Sequence, residues 1–201
     1  MQATTERGSD LLDVVTIPDN VGLGTVVLEI ELNPVMSVRL ERTTSRYQRI
    51  KWLNTTFRIV PGYSSMAAGQ YAAAVVRDPT DEAPEDPVDQ IRWINGQRIS
   101  AIAKWWEPMR LTVPGNGDLL WTSIDNEKRW YSPGKLFVMC MGPPLQAGSI
   151  AVYLDWQVHL SEPSVEKVFS TAEEESQVVL PYDMGIVPYP GNTTQLYYLL
   201  I

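Results

Sequence analysis

The sequence is poor in the two residue types that most often carry catalysis and bind transition metals. It contains one cysteine, Cys140, and one histidine, His159, in 201 residues. A single cysteine cannot form a disulfide within the chain, and one Cys with one His cannot fill a zinc site. A Ser-His-Asp or Cys-His mechanism would have to depend on His159 alone. These absences argue against hydrolase chemistry, and the sequence predicts a protein that is not an enzyme.

Long apolar runs are also missing. No window approaches the roughly eighteen uninterrupted apolar residues that predict a membrane span, and residues 1–7 lack the apolar core of a signal peptide. We therefore expect no membrane span. With 15 Pro, 13 Gly and only 3 Phe, the apolar residues are mainly Val, Leu, Ile, Tyr and 7 Trp, a balance that favours strands over long helices.

The charge is acidic overall and unevenly distributed. The formal net charge is −8, yet residues 78–89 contain six acids and no base, and residues 162–201 contain six acids and one lysine. The rest of the chain is therefore mildly basic, with one acidic loop and one acidic tail. An acidic total argues against general nucleic-acid affinity for the chain as a whole.

Short alternating runs, each ended by a turn signal, recur along the chain and predict strands. The clearest is 149–160, in which every second residue from Ile150 to Leu160 is apolar. The eight predicted strands are about 24–32, 48–60, 69–76, 98–105, 108–113, 119–124, 135–141 and 149–160.

Two short helices are predicted between these strands. One lies within residues 34–46, and the other is capped by Asp86-Pro87 and runs through Ile94. No strand–helix–strand alternation appears, so a parallel sheet is not expected. The sequence therefore predicts an all-β fold: an eight-stranded antiparallel jelly-roll β-sandwich with short helical excursions.

The composition changes after Pro163, and this predicts two regions. We expect residues 1–162 to form the jelly roll with an N-terminal lead-in, and residues 163–201 to form an acidic C-terminal tail. The last seven residues, from Gln195, are too apolar to remain in water. The tail is therefore expected to pack on the body or on a neighbouring subunit.

Several landmarks, in their order, resemble the shell domain of small icosahedral positive-strand RNA virus coat proteins, the jelly-roll group of tombusviruses, sobemoviruses and nodaviruses. The resemblance spans about residues 8–163. Its pieces are the strand 22–34 ending in Leu-Asn-Pro, Arg-Tyr-Gln-Arg-Ile at 46–50, the strand from Gly69 into Asp-Pro-Thr-Asp at 78–81, and the run 147–160 followed by Ser-Glu-Pro. It implies a capsid protein of the virion that assembles with copies of itself into an icosahedral shell around RNA.

The pair Asp78 and Asp81, an Asp-x-x-Asp at a strand end, is the candidate metal site. Two such acids can bind one hard cation together with carbonyl oxygens and ligands from a neighbour. In shells of the resembling group, acids in this loop are similar in placement to calcium ligands between subunits, although Val76 stands where the tombusvirus-like pattern has a further acid. The resemblance thus implies calcium as a cofactor, and a solvated loop is the alternative. Without metal, gathered carboxylates would favour assembly at low pH.

Four arginines at helical spacing, Arg39, Arg42, Arg46 and Arg49, are candidates for phosphate contacts with genomic RNA on the inner surface of a shell. A subunit interface or a solvated helix face is the alternative. In the resembling proteins RNA binds mainly through an Arg/Lys-rich N-terminal arm, which is not present in this sequence. We also expect that the 38 residues after Pro163 do not supply a protruding domain.

Two other classes share the jelly-roll architecture. A calcium-dependent carbohydrate-binding module would use exposed Trp and Tyr as stacking platforms beside an acidic calcium loop, and it would remain small in solution. A cupin-like enzyme would need several histidines for its metal, and the chain has one. The residues identify no host receptor.

Overall fold

The computed structural model describes residues 3–164 and the backbone of residues 186–188 and 196–198. Its contacts divide the chain into two units, Met1–Val165 and Glu166–Ile201. The expected packing of the tail lies outside the described residues. In the second unit, two short strands, Ile186–Pro188 and Leu196–Tyr198, pair in antiparallel fashion.

The first unit is built from strands with three short helical segments. Its strands are β1 (Thr4–Ile17), β2 (Val26–Glu31), β3 (Tyr47–Pro61), β4 (Gln70–Val76), β5 (Ile99–Lys104), β6 (Met109–Pro114), β7 (Leu120–Trp121), β8 (Lys135–Gly142) and β9 (Gly148–Pro163). Its helices are α1 (Val38–Thr44) and α2 (Pro87–Gly96), with one 3-10 turn at Lys128–Trp130. No helix in this described part of the chain is long and apolar enough to cross a membrane.

The strands form two sheets that enclose one core. One sheet has the order β1-β9-β3-β6, with β7 added beside β3, and the other has the order β2-β8-β4-β5. Every pairing in both sheets is antiparallel. Every connection crosses from one sheet to the other except β4–β5 and β6–β7, which is the pattern of a jelly roll, so the predicted fold class is confirmed.

The structure departs from the predicted strands at two places. Residues 4–17, expected as a lead-in, form β1, which pairs with β9 along its whole length. Glu6, Arg7 and Asp10 interrupt the alternation of apolar and polar residues in β1, so the sequence pattern did not predict a strand there. Such charged side chains are tolerated because β1 is an edge strand of a sheet with one solvated face. The predicted strand 119–124 is reduced to the two residues of β7.

Both predicted helices are present. Asp86 caps α2 by accepting hydrogen bonds from the backbone N–H groups of Val88 and Asp89, and Pro87 occupies the first turn. The helix α1 is shorter than the predicted span, since it ends at Thr44. The Thr44 hydroxyl there donates to the Pro34 carbonyl at 3.2 Å.

The core lies between the sheets and continues beneath α2. Every second side chain of β9 from Ile150 to Leu160 is buried in the main core. On the opposite face of the second sheet, Ile94 of α2 packs on Ala72, Ala74 and neighbouring residues of β8. Strands β4 and β8 are covered on both faces, which explains their unbroken apolar sequences.

The register places the connections at two ends of the unit. Ile17 and Pro61 lie beside the start of β9, and Ile59 pairs with Met109 at the start of β6. The short connections β1–β2, β3–β4, β5–β6 and β8–β9 therefore meet at one end, named here the short-loop end. The acidic loop and the 3-10 turn lie at the opposite end.

Candidate assembly interface

The short-loop end presents large apolar side chains to solvent. Leu23, Met66 and Leu145 each stand in a different connection, and their exposed fractions are 51%, 85% and 75%. Single exposed apolar residues are ordinary on protein surfaces, but three on neighbouring loops form a group. Such a group suits contact with another protein surface.

An aromatic cluster holds these loops in place. Trp105 is fully buried, and its indole Nε1 donates to the Gly142 carbonyl at 2.6 Å. The rings of Tyr63 and Tyr71 lie 5.5 and 5.3 Å from the Trp105 ring. Burial raises the pKa of Tyr71, whose hydroxyl donates to the Glu107 carbonyl at 2.7 Å. The exposed loops are therefore attached to a rigid base.

Glycine at position 69 permits the closest approach between two of these loops. Gly69 has φ of +87°, and a Cβ there would overlap the backbone of Gly142 and Pro143. The β3–β4 and β8–β9 connections thus touch backbone to backbone, which only glycine allows at this position.

At the opposite end, Asp78 is held by residues of its own chain. Arg129 donates from Nη2 to Oδ2 at 2.8 Å and from Nε to Oδ1 at 3.2 Å. Thr80 donates to Oδ1 from its backbone N–H and its hydroxyl. The hydrogen bonds from Arg129, followed by those from Thr80, lower the pKa of Asp78 well below its ordinary range.

Asp81 lies in the same turn and is held through its backbone. Its N–H donates to the Asp78 carbonyl at 3.2 Å, and its carbonyl accepts from Lys135 Nζ at 3.1 Å. Lys135 also pairs with Glu29 at 2.9 Å, and its side chain is 5% exposed. The predicted acids are therefore adjacent, but two basic residues that the sequence analysis missed accompany them. Across residues 3–164, no cluster of three His, Cys, Asp or Glu residues is placed to hold a metal.

The four predicted arginines do not form one row. Arg39 and Arg42 lie on α1, Arg46 in the turn after it, and Arg49 on β3. The Arg49 guanidinium lies 3.3 Å from the centre of the Trp121 ring, and its Nε lies 3.6 Å from Glu162. The prediction that all four arginines share one helix is wrong for Arg46 and Arg49, because the helix ends at Thr44.

A second basic surface appears on the solvated face of the first sheet, which we name the polar sheet face. Its basic side chains come from several strands: Arg7, Lys51, Arg58 and Arg110. Arg39 of α1 lines a groove of about 470 Å³ together with Arg7. The sequence could have predicted this face, because the polar residues that alternate with the core residues of β3 and β9 must lie on the opposite side of the sheet.

The acid on the polar sheet face is neutralised within the chain. Arg58 binds Asp155 through Nε at 2.8 Å and Nη2 at 3.1 Å, and Ser9 donates to the same carboxylate at 2.5 Å. Burial alone would raise the pKa of Asp155, but the hydrogen bonds from Ser9 and Arg58 outweigh it and lower the pKa. The face retains an excess of positive charge.

Comparisons with known proteins give consistent matches. A family model described as nodavirus capsid protein matches residues 8–192. Capsid protein alpha of Striped jack nervous necrosis virus is 30% identical over 160 residues, which cover 79% of this chain and 46% of that protein. The chain thus spans about half the length of this curated relative.

Solved structures with the same fold include those of two viruses and one virus-like particle (VLP). The cryo-EM structure of Mud crab tombus-like virus has a TM-score of 0.75 at 21% identity and covers 86% of each chain. The semi-empty VLP of Macrobrachium rosenbergii nodavirus has a TM-score of 0.73 at 18% identity, covering 81% of this chain and 95% of that one. Cocksfoot mottle virus has a TM-score of 0.67 at 11% identity, covering 83% and 99%.

Proposed function

The chain belongs to the nodavirus capsid protein family, and we propose that it forms the icosahedral shell of a virion by assembling with copies of itself around RNA. The observation that carries this proposal is the pair of sheets β1-β9-β3-β6 and β2-β8-β4-β5, within residues that the family model matches. The role is structural rather than enzymatic, and its location is the virion.

The short-loop end is our candidate for the contact between copies. Closed symmetry brings the same surface of several subunits around one axis. The exposed side chains of Met66 and Leu145 would then be covered by equivalent loops of neighbours, and their apolar area would be removed from water. The buried Trp105 beneath them keeps the loops in one arrangement before contact, which lowers the entropic cost of association.

The polar sheet face is our candidate for contact with RNA. Phosphate contacts position a nucleic acid without reading its bases. They require exposed basic side chains, which neutralise the phosphates and release the counter-ions bound to the nucleic acid. Arg7 and Arg110 are exposed on this face, and Arg39 borders it. Arg49, stacked on Trp121 and paired with Glu162, is assigned to the structure of the subunit instead.

Calcium at Asp78 and Asp81 stays a prediction. Calcium takes six to eight oxygen ligands, and the residues that surround these two acids within one chain do not fit such a site. Both carboxylate oxygens of Asp78 already accept hydrogen bonds from Arg129. A metal would have to displace that arginine and take most ligands from a neighbouring copy, so no step of assembly is assigned to it.

The carbohydrate-binding module is not favoured, because the family match covers residues 8–192 and describes a capsid protein. Negative-stain microscopy of the purified chain, with and without added RNA, tests the proposed function directly. We expect uniform spherical particles. Small oligomers under every condition, together with sugar binding on a glycan array, would contradict the capsid proposal and favour the alternative.

A further inference from the structure

Two basic side chains that follow β7 in sequence bind the acidic turn 78–81. Arg129, on the 3-10 turn, donates hydrogen bonds to both carboxylate oxygens of Asp78 and also to the Thr80 hydroxyl at 3.0 Å. Lys135, at the start of β8, holds the Asp81 carbonyl at 3.1 Å. A two-pronged guanidinium–carboxylate contact is among the stronger and more directional ion pairs.

We propose that the Arg129 guanidinium stabilises the acidic turn in the place of a bound metal ion. The turn then keeps its structure, and takes part in contacts between copies, without calcium. The part that concerns contacts between copies rests on the proposed function. The part that concerns the turn itself depends only on the geometry of one chain.

The first argument is the occupancy of the carboxylate. Oδ1 of Asp78 accepts from the Thr80 N–H at 2.9 Å, the Thr80 hydroxyl at 2.6 Å and Arg129 Nε at 3.2 Å, while Oδ2 accepts from Arg129 Nη2. A carboxylate has about four lone-pair sites. Oδ1 is therefore fully occupied and Oδ2 keeps one lone pair, so a calcium ion could not bind both oxygens without displacing existing hydrogen bonds.

The second argument is the charge balance of the surrounding groove. A groove of about 340 Å³ is lined by two acids, Asp78 and Asp118, and by two bases, Arg77 and Arg129. The charges of these four side chains sum to zero without a metal, so a divalent ion would add two uncompensated positive charges to the groove. Asp81 and Glu127 also act on Arg129, whose pKa is raised first by its hydrogen bonds to Asp78 and then by the charge of Asp78.

The third argument gives a contrast in pH dependence. In a cluster of unpaired carboxylates the pKa values are raised, so its contribution is lost as the pH climbs through them. Asp78 instead has its own counter-charge, because Arg129 Nη2 lies 2.8 Å from its Oδ2. The charge of Asp78 therefore does not add to repulsion between copies as the pH rises, so neither chelation nor mildly alkaline pH should loosen the turn.

The test measures the thermal unfolding temperature and particle size of the full chain in calcium and in EGTA, at about pH 6 and pH 8.5. The variants are Arg129→Ala, Arg129→Lys and the matched control Arg92→Ala, which removes an exposed pair with Asp89 in the same acidic stretch. We expect the wild-type Tm to change by less than about 1 °C on chelation at either pH. Arg129→Ala should lower the Tm by about 2 °C or more relative to Arg92→Ala, with partial recovery in Arg129→Lys.

Either of two results would overturn the proposal: a wild-type Tm or particle that depends on calcium, or an Arg129→Ala variant that matches Arg92→Ala. If Arg129→Ala does not fold, Arg129→Gln and Asp78→Asn carry the same comparison. The Tm readout needs no particles. A chain that never forms particles would count against the proposed function, while its Tm values would still decide the role of Arg129.

Discussion

The indole Nε1 of Trp156 donates a hydrogen bond of 2.6 Å to Oδ2 of Asp10, and Ser37 Oγ donates to the same oxygen at 2.8 Å. Ser37 is the N-cap of α1, so one carboxylate joins β1, β9 and α1. Gly8 lies over the same indole, where a Cβ would overlap the ring. The first strand is thus fixed by side-chain contacts as well as by its ladder of backbone hydrogen bonds.

Removal of the Asp10 carboxylate should destabilise the first unit. We expect Asp10→Ala to lower the free energy of unfolding by about 1–3 kcal/mol, because the Trp156 N–H and the Ser37 hydroxyl would both be left without their acceptor. Urea unfolding followed by tryptophan fluorescence measures the change. Asp13→Ala, an exposed change on the same strand, is the control and should stay within about 0.5 kcal/mol. Equal losses in the two variants would contradict the three-element role of Asp10.

Charges placed at the short-loop end should prevent assembly and spare the fold. We expect Met66→Asp and Leu145→Asp each to abolish particles, because association would bury an unpaired carboxylate. Their Tm should stay within about 2 °C of wild type, since both side chains are exposed. Microscopy and sedimentation provide the measurements.

The control for these two variants is Ile124→Asp, an apolar-to-acidic change at the opposite end. Ile124 is exposed in the connection between β7 and β8. If this control also abolished particles while Leu145→Asp did not, the contact would have to be reassigned to the opposite end.

Neutralising the polar sheet face should weaken RNA binding uniformly across sequences. We expect Arg7→Gln and Arg110→Gln to reduce affinity for single-stranded RNA. The slope of log K against log salt should become shallower by about 0.7 for each phosphate that the variant no longer neutralises. Fluorescence anisotropy at several salt concentrations measures both quantities. Arg92→Gln, on the exposed face of α2, should bind like wild type. An unchanged slope in the Arg7 and Arg110 variants would remove this face from RNA contact.

Acidification should lower the free energy of unfolding of the first unit, because it protonates Asp155. Its pKa is lowered in the folded chain, so the stabilisation is present above the unfolded-state value of about 3.9 and is lost as the pH falls through the folded value. We therefore expect the difference in unfolding free energy between wild type and Asp155→Asn to shrink from pH 5 towards pH 2. Asp19→Asn, an exposed change in the β1–β2 connection, is the matched control. A pH-independent difference for Asp155→Asn would show that its pairing with Arg58 contributes nothing.

Local patterns predicted the parts of the fold in which one face of a strand is buried. The alternation from Ile150 to Leu160 identified β9, and Asp86-Pro87 identified the start of α2, because both signals act within a few residues. The strand β1 was missed because its Glu6, Arg7 and Asp10 interrupt the pattern. Its position is set by pairing with β9, whose paired residues lie 131 to 156 positions away in sequence.

The candidate sites show the same limit. Asp78 and Asp81 were correctly placed together in a loop at a strand end, since a four-residue motif is a local feature. Their partners Arg129 and Lys135 lie about 50 residues further along the chain, on segments that only the jelly-roll topology brings to this end. The spacing of the arginines also predicted that Arg49 belongs to the helix of Arg39 and Arg42. In the structure it lies at the start of β3, where its guanidinium stacks on the Trp121 ring.

The connections at the short-loop end contain only four to eight residues each, whereas those at the other end include 32–46, 77–98 and 122–134. The first unit is therefore narrow at the end where the proposed contacts lie and broader at the other end, where α1 and the 3-10 turn add volume. In the proposed assembly, copies that meet by their narrow ends would tilt away from one another, and this taper would give the assembled wall its curvature. Insertions into the broad-end connections would then change the radius of the particle while the contacts at its axes stay the same.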